Sequence, residues 1–385
     1  MKNEKCALNN CESCKSELFD FGGKKDDVNS ESSESEDEHD NDDNVEYFSW
    51  AKIEKRITKA TFSVSFEDAV ANMREQLKVL KEHIYIKRIQ NDAYNDHKAT
   101  LTVDDLLLHV DFAENYRNDQ QNEIQSAYFG HQSFSLFTSC CYYINEQNSL
   151  DQNSIVIVTE NSDHNRITSI SSLKKVVEIM ENGIGKNFKR LVIWSDGMSA
   201  QFRSRFIFKL LADTFFTDKQ ISWFYNERHH GKGPMDGVGG TLKNVVFRKV
   251  KSGQTVIYNP QDFVEASRQF VPSITTEFLP KEEEIVEPDD IEDAPSIVDT
   301  LQIHKLKRCV KDRKCAIEFF KTATDNNPFF TQWYSNVGAL ICGHKESNTT
   351  ENECAQCLQC YCEDGTEWLK CPACEKWFHE NCFYV

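Results

Sequence analysis

The sequence lacks any run of eighteen apolar residues, so it offers no segment able to cross a bilayer as a helix. Its first residues, MKNEKCALNN, lack the apolar stretch of a secretory signal. The expectation is a soluble, intracellular protein with no membrane partner. No GxxxxGK[ST] stretch occurs, which excludes a phosphate cradle of the P-loop kind. Residues 26–43 lack Lys and Arg while holding ten acids, and residues 281–293 hold eight acids against Lys281 alone. These two segments carry nearly all of the net charge of −18. The remainder is close to neutral, with basic patches of its own, so an acidic total does not exclude nucleic acid as a partner.

What is abundant is cysteine. The chain has fifteen, clustered at both ends. In a reducing compartment such clusters point to zinc rather than to disulfides. The C-terminal order is Cys360-x-Cys362-x8-Cys371-x2-Cys374-x4-His379-x2-Cys382, preceded by Cys354-x2-Cys357. Thiolate pairs at these spacings each supply half of a tetrahedral Zn²⁺ site. At the other end Cys6, Cys11 and Cys14 offer three ligands without a nearby fourth.

Between these ends the patterning divides the chain. Residues 1–23 read as a partial zinc-binding segment. Residues 24–45 are acidic and Ser-rich, and read as a disordered linker. Residues 46–99 read as helical, with Phe66, Val70, Met73, Leu77, Leu80 and Ile84 on one stripe of a helix over 66–90. Residues 100–255 alternate strands with helices. LLLHVDF (106–112), SFSLFTSCCYYI (133–144), SIVIVTE (154–160), LVIWSDG (191–197) and ISWFYNE (221–227) read as strands. Residues 169–182, capped by Ser, and 199–216 read as helices, and 238–250 as a further one. The expected fold class is α/β: a mixed sheet flanked by helices. Residues 256–300 read as a second acidic linker region, 301–345 as a basic, helical segment, and 350–385 as a zinc-stabilised finger.

Three aspartates sit where chemistry is expected. Asp111 ends the first strand, Asp196 ends another, and Asp236 lies in the glycine-rich HGKGPMDGVGGTLK (230–243). Ligand sites of open α/β sheets gather beyond strand ends. Convergent carboxylates repel unless a cation neutralises them, and carboxylate oxygen suits Mg²⁺ or Mn²⁺. Two such ions can clamp an in-line phosphoryl displacement. Each Asp taken alone also fits a turn or cap residue. His230, Lys232 and Lys243, with Arg203 after the SDG turn, are the candidate phosphate contacts. Arg248, Lys249 and Lys251 continue a basic face. For these cations a solvated surface is the other reading.

DFAENY (111–116), WSDGMSAQF (194–202) and HGKGPMDGVGGTLK (230–243) together resemble transposon-encoded proteins of animal genomes with a transposase or integrase-like core. The resemblance covers roughly residues 45–255 and implies an RNase H-like fold. It implies DNA, both transposon ends and target, as substrate. Catalytic Mg²⁺ or Mn²⁺ would be held by Asp111, Asp196 and Asp236. Glu227 is the alternative third acid, because no Glu occurs in 237–250 where the family's helix carries one. A same-fold exonuclease pattern fits less well, since Asp111-x-x-Glu114 and the His230–Asp236 interval both miss its spacings.

The C-terminal run, with WLKCPACEKWFHENC, resembles a PHD finger. By that family's interleaved rule Cys360, Cys362, His379 and Cys382 share one zinc, and Cys371 and Cys374 hold the second. The family's final Cys pair is absent after Cys382, and Cys354 with Cys357 is the substitute from upstream. The resemblances together imply a nuclear protein, an oligomer being open, with a histone tail or another protein as the finger's partner. Retained cleavage, or decay to DNA or chromatin binding alone, are the two functional expectations.

Overall fold

In a computed structural model the described residues are 44–121, 124, 132–227, 233–297, 299–311, 314–334, 368–370 and 377–379. The chain divides into two units, residues 1–88 and 89–385. In the first, β1 (Asn44–Ile53) and β2 (Arg56–Ser65) form an antiparallel hairpin. Its two-residue turn, Glu54–Lys55, has positive φ at both positions, the backbone that matches strand twist in a tight hairpin. Residues 46–65 are therefore strand rather than helix. The helix α1 (Phe66–Ala99) is longer than the stripe suggested. Phe66, Met73 and Leu80 of that stripe remain exposed.

The second unit is built on one nine-stranded mixed sheet. Its strands are β3 (Asp105–Arg117), β4 (Ser133–Ile144), β5 (Leu150–Thr159), β6 (Arg190–Ser195), β7 (Gln220–Tyr225), β8 (Thr275–Leu279), β9 (Lys305–Lys311), β10 (Lys314–Phe320) and β11 (Phe330–Tyr334). The spatial order is β11-β10-β9-β7-β6-β3-β4-β5-β8. The first three strands in sequence form an antiparallel meander; β6 then pairs parallel to β3, and β7 parallel to β6. The helix α2 (Arg166–Ile184) connects β5 to β6, and α3 (Arg205–Asp213) connects β6 to β7. These parallel steps need long crossovers, which the two helices provide. Asn165, not a serine, caps α2, its Oδ1 accepting from the Ile167 and Thr168 amides. The helix α4 (Pro234–Lys251) follows β7, and α5 (Pro260–Phe270) follows α4.

Strand alternation separates two cores. Leu106, Leu108 and Val110 of β3 pack with α2 and α3, around Phe202, Phe208 and Trp223. On the opposite face, Leu242, Val246 and Val250 of α4 pack with α5 and with Leu136 and Val158 of the sheet. A third cluster on that face joins Leu107, Trp194, Phe224 and Met235 to Ala93 of α1.

Two further expectations are corrected. The region 256–300 is not an acidic linker. It contains α5 and β8, then a strap that buries Ile291 and Ala294. Its acids pair with the cations of α2 and α3: Glu287 with Arg166, Glu283 with Lys175, and Asp290 with Lys209. The charge run is thus counter-charge to two helices. Residues 301–345, as far as they are described, hold no helix beyond the single 3-10 turn Thr300–Gln302; they form β9 to β11. Arg308 of the basic cluster is half-buried and donates to the carbonyls of Leu211, Phe215, Phe216 and Lys219. It closes the C-terminal end of α3 rather than facing solvent, where free carbonyls favour a cation. Of the finger region only β12 (Trp368–Lys370) and β13 (Trp377–His379) are described, as an antiparallel pair. The Cys ligand calls, and residues 1–43, lie outside the described residues.

Candidate active site

Asp111 lies inside β3, and Asp196 lies one residue beyond β6. The two strands run parallel with a constant interval, from Asp105↔Arg190 to His109↔Trp194. Continuing that interval by two residues sets Asp111 level with Asp196. Neighbours in register on parallel strands present their side chains on one face. The sheet therefore brings together two acids that are far apart in sequence.

Their surroundings are electrostatically unfavourable to charge. Burial raises the Asp111 carboxyl from its ordinary 3.8 to about 7; the charge of Asp196 adds to this, and that of Asp236 contributes less. The Phe112 amide, donating to Asp111 Oδ1 at 2.8 Å, works in the opposite direction. Asp196 is also raised, chiefly by burial, while the Met198 amide at 3.3 Å and the charge of Arg203 oppose the shift. A site that penalises two neighbouring carboxylates in this way gains most from a cation. Each also keeps an oxygen, Oδ2, with no hydrogen bond among the described residues. That donor set fits Mg²⁺ or Mn²⁺. Among the described residues, no three His, Cys, Asp or Glu side chains already form a metal cage.

Asp236 sits in the first turn of α4, exposed, with its Oδ2 accepting from the Gly233 amide at 3.1 Å. It caps the helix and is close enough for its charge to register on Asp111. Glu227 behaves differently. It is 9% exposed and is bound to His304 Nε2 at 2.5 Å. The structure brings Asp236, and not Glu227, toward the acid pair.

The glycines of the motif separate into two roles. A Cβ on Gly239 would lie 2.8 Å from Ala113 Cβ and 3.2 Å from Thr138 Cγ2. This glycine lets α4 lie directly on β3 and β4, next to Asp111. At Gly237 and Gly240 a Cβ would meet nothing within 4 Å. Both are exposed, as are Thr241, Asn244 and Arg248 farther along the same side. The outer face of α4 beside Asp236 is consequently smooth and ends in cations.

The predicted phosphate contacts fare unequally. Arg203 is 3% exposed and donates to Ile303 O at 2.9 Å. Its guanidinium lies under Gly197, where a Cβ would come within 2.7 Å of it. It buttresses the SDG turn from below. Lys243 is half-buried, donates to Glu114 O at 3.0 Å and lies 3.6 Å from the Glu114 carboxylate. It reaches from α4 to the irregular stretch of β3 between Ala113 and Tyr116, where the register with β4 shifts. His230 and Lys232 lie outside the described residues.

A protein-family profile described as "Domain of unknown function (DUF8701)" matches residues 90–319, more than half of the chain. The chain belongs to the DUF8701 family. No curated protein matches it. The DUF8701 region begins at Gln90, which is buried and donates to Tyr225 O at 2.8 Å and His304 O at 3.0 Å while accepting from the Ala323 amide at 2.7 Å. One amide thus fastens the end of β7 to the approach of β9. The matched region reaches into β10 and includes Asp111, Asp196 and Asp236.

Two residues of the site carried no signal in the sequence. Asn226 follows β7, and its Nδ2 lies 3.4 Å from His109 Nε2. His109 is 4% exposed and is held well below the ordinary histidine range, near 3, mainly by burial and then by Lys98. Only strand register relates these residues to the acids, and register cannot be read from composition or spacing.

Proposed function

We propose that this DUF8701 protein is a transposon-derived, metal-dependent DNA transposase or integrase-like protein that cleaves and joins phosphodiester strands. The observation that carries this reading is the placement of Asp111 and Asp196, level on adjacent parallel strands and both raised in pKa by burial, with the charge of Asp196 adding at Asp111 and Asp236 at the head of α4. The order β5-β4-β3-β6-β7, with its antiparallel meander and two parallel crossovers, supports the finer reading of the fold as RNase H-like. In that reading Asp111 and Asp196 hold Mg²⁺ or Mn²⁺, with Asp236 as the third acid. The bound cations would neutralise the scissile phosphate and activate the attacking oxygen. The chain's own contribution is to fix Asp111 within β3 and Asp196 directly after β6, so that little reorganisation is needed when the charge arrives. The smooth outer face of α4 lets a duplex backbone approach Asp236, and Arg248 on the same side supplies attraction to phosphate.

The cysteine-rich end is proposed to be a PHD-like finger holding structural Zn²⁺ through Cys354, Cys357, Cys360, Cys362, Cys371, Cys374, His379 and Cys382. A histone tail or another protein is its proposed partner and the nucleus its proposed location.

The test is nicking of supercoiled plasmid by purified protein in MnCl₂. Asp111→Ala and Asp196→Ala are run beside the parent, and plasmid binding is measured for all three. Nicking by the parent that both substitutions abolish, with binding kept, is the expected result. Binding without nicking by any form would overturn the catalytic reading in favour of a domesticated or decayed protein acting through DNA and chromatin contacts.

A further inference from the structure

The register that aligns the two acids extends one strand further. The β6–β7 interval is also constant, from Arg190↔Gln220 to Ser195↔Tyr225. The Asn226 amide continues the pairing by donating to Ser195 O at 2.9 Å. The next position in line with Asp196 is therefore Asn226. Asp111, Asp196 and Asn226 form one row across β3, β6 and β7. Two residues earlier, the same row is His109, Trp194 and Phe224. Trp194 and Phe224 stack at 4.9 Å, with Tyr94 and His97 of α1 packed against the row. Positions two apart in a strand share a face, so the polar row stands on a rigid aromatic floor. Glu227, one residue out of phase, turns to His304 on the other side.

Within this row the Asn226 side chain rests against His109. Its Nδ2 is the atom on His109 Nε2, and its Oδ1 accepts no hydrogen bond among the described residues. An amide oxygen is a hard donor that joins carboxylates in binding Mg²⁺-like ions.

We infer that Asn226 is a metal-ligating residue of the Asp111–Asp196 site, donating its amide oxygen, and that His109 is its positioning residue. This rests on the metal-dependent reading proposed above. Asp236, exposed and tied to Gly233, would then face the DNA side of the site.

The experiment is direct Mn²⁺ binding to the full chain without DNA, read from the electron paramagnetic resonance signal of free Mn²⁺. The parent is compared with Asp111→Asn, Asp196→Asn, Asn226→Ala, Asn226→Asp and His109→Phe, each checked by circular dichroism. The expected result is loss of binding in both aspartate variants and a weakening of about 10-fold or more in Asn226→Ala. His109→Phe should weaken binding by roughly 10-fold, the scale of losing a supporting partner of a ligand. Asn226→Asp keeps the shape and adds charge, so it should tighten binding, and it carries the test if Asn226→Ala does not fold. Unchanged Mn²⁺ affinity in either folded Asn226 variant, with the aspartate variants impaired, would overturn this inference alone. A parent that binds no Mn²⁺, or aspartate variants that bind like the parent, would overturn the metal reading of the site and this inference with it.

Discussion

The two faces of β3 differ sharply in what they carry. Leu106, Leu108 and Val110 point into a core made with α2 and α3, and all three are fully buried. Leu107, His109 and Asp111 point to the α4 side and change along the strand from aliphatic to aromatic to charged. One strand thus packs the α2–α3 core with its even-numbered positions and carries an acid of the candidate site among its odd ones. Alternation forces this separation, because adjacent side chains cannot share a face.

The comparison is tested most severely by removing a group from each side. Asp111→Ala should lower DNA cleavage by on the order of 10²–10³-fold or more, as expected for losing a group that stabilises the transition state. The fold should be kept, and a plasmid-nicking rate set beside a thermal melt reads both. Leu108→Ala should do the reverse. It should cost about 2–5 kcal/mol in stability by opening a cavity, measured as a shift of the urea midpoint, while cleavage per folded molecule is retained.

The second prediction sharpens the electrostatic side. The folded carboxyl of Asp111 sits at about 7, above its ordinary 3.8, so the folded state holds this proton more tightly than the unfolded state does. Its penalty is absent at low pH, grows as pH rises through the interval between those values, and is fully present above it. Metal-free parent and Asp111→Asn should therefore melt alike near pH 4. At about pH 8 the Asn variant should be the more stable, by up to about 4 kcal/mol. Equal melting of the two proteins at both pH values would remove the case for a strained carboxylate pair.

The smallest effects separate the glycines of α4. Gly239→Ala places a methyl against Ala113 and Thr138 and should cost about 1–3 kcal/mol as an overpacked contact. Gly237→Ala meets open space in a helix and should gain about 0.5–1 kcal/mol. Denaturant midpoints of the two variants moving in the same direction would contradict the division between a packing glycine and a surface one.

Much of the second unit was legible because buried strands are short apolar runs with polar ends. Residues 106–112, 133–144, 154–160, 191–197 and 221–227 fall in or overlap β3 to β7. The stretch 169–182 falls inside α2 for the same reason, its apolar residues recurring at the helical period. The strap at 281–299 was not legible. Its acids resemble a solvated linker until Arg166, Lys175 and Lys209 are placed opposite them. The run from Lys305 reads as a basic surface until Arg308 is found closing the end of α3. In both cases the partner is distant in the chain, and composition carries no information about distant partners.

The sequence by itself determined most elements of residues 100–255, the α/β class and the place of Asp196 just past a strand, since period, turn chemistry and local charge are properties of neighbours along the chain; Asp111, expected at a strand end, lies inside β3. Tertiary structure alone decided that Asp111 and Asp196 stand level, that Asn226 stands beside them, and that Glu227 does not. Those relations depend on the register of separate strands, which hydrogen bonding between strands fixes and local sequence does not encode.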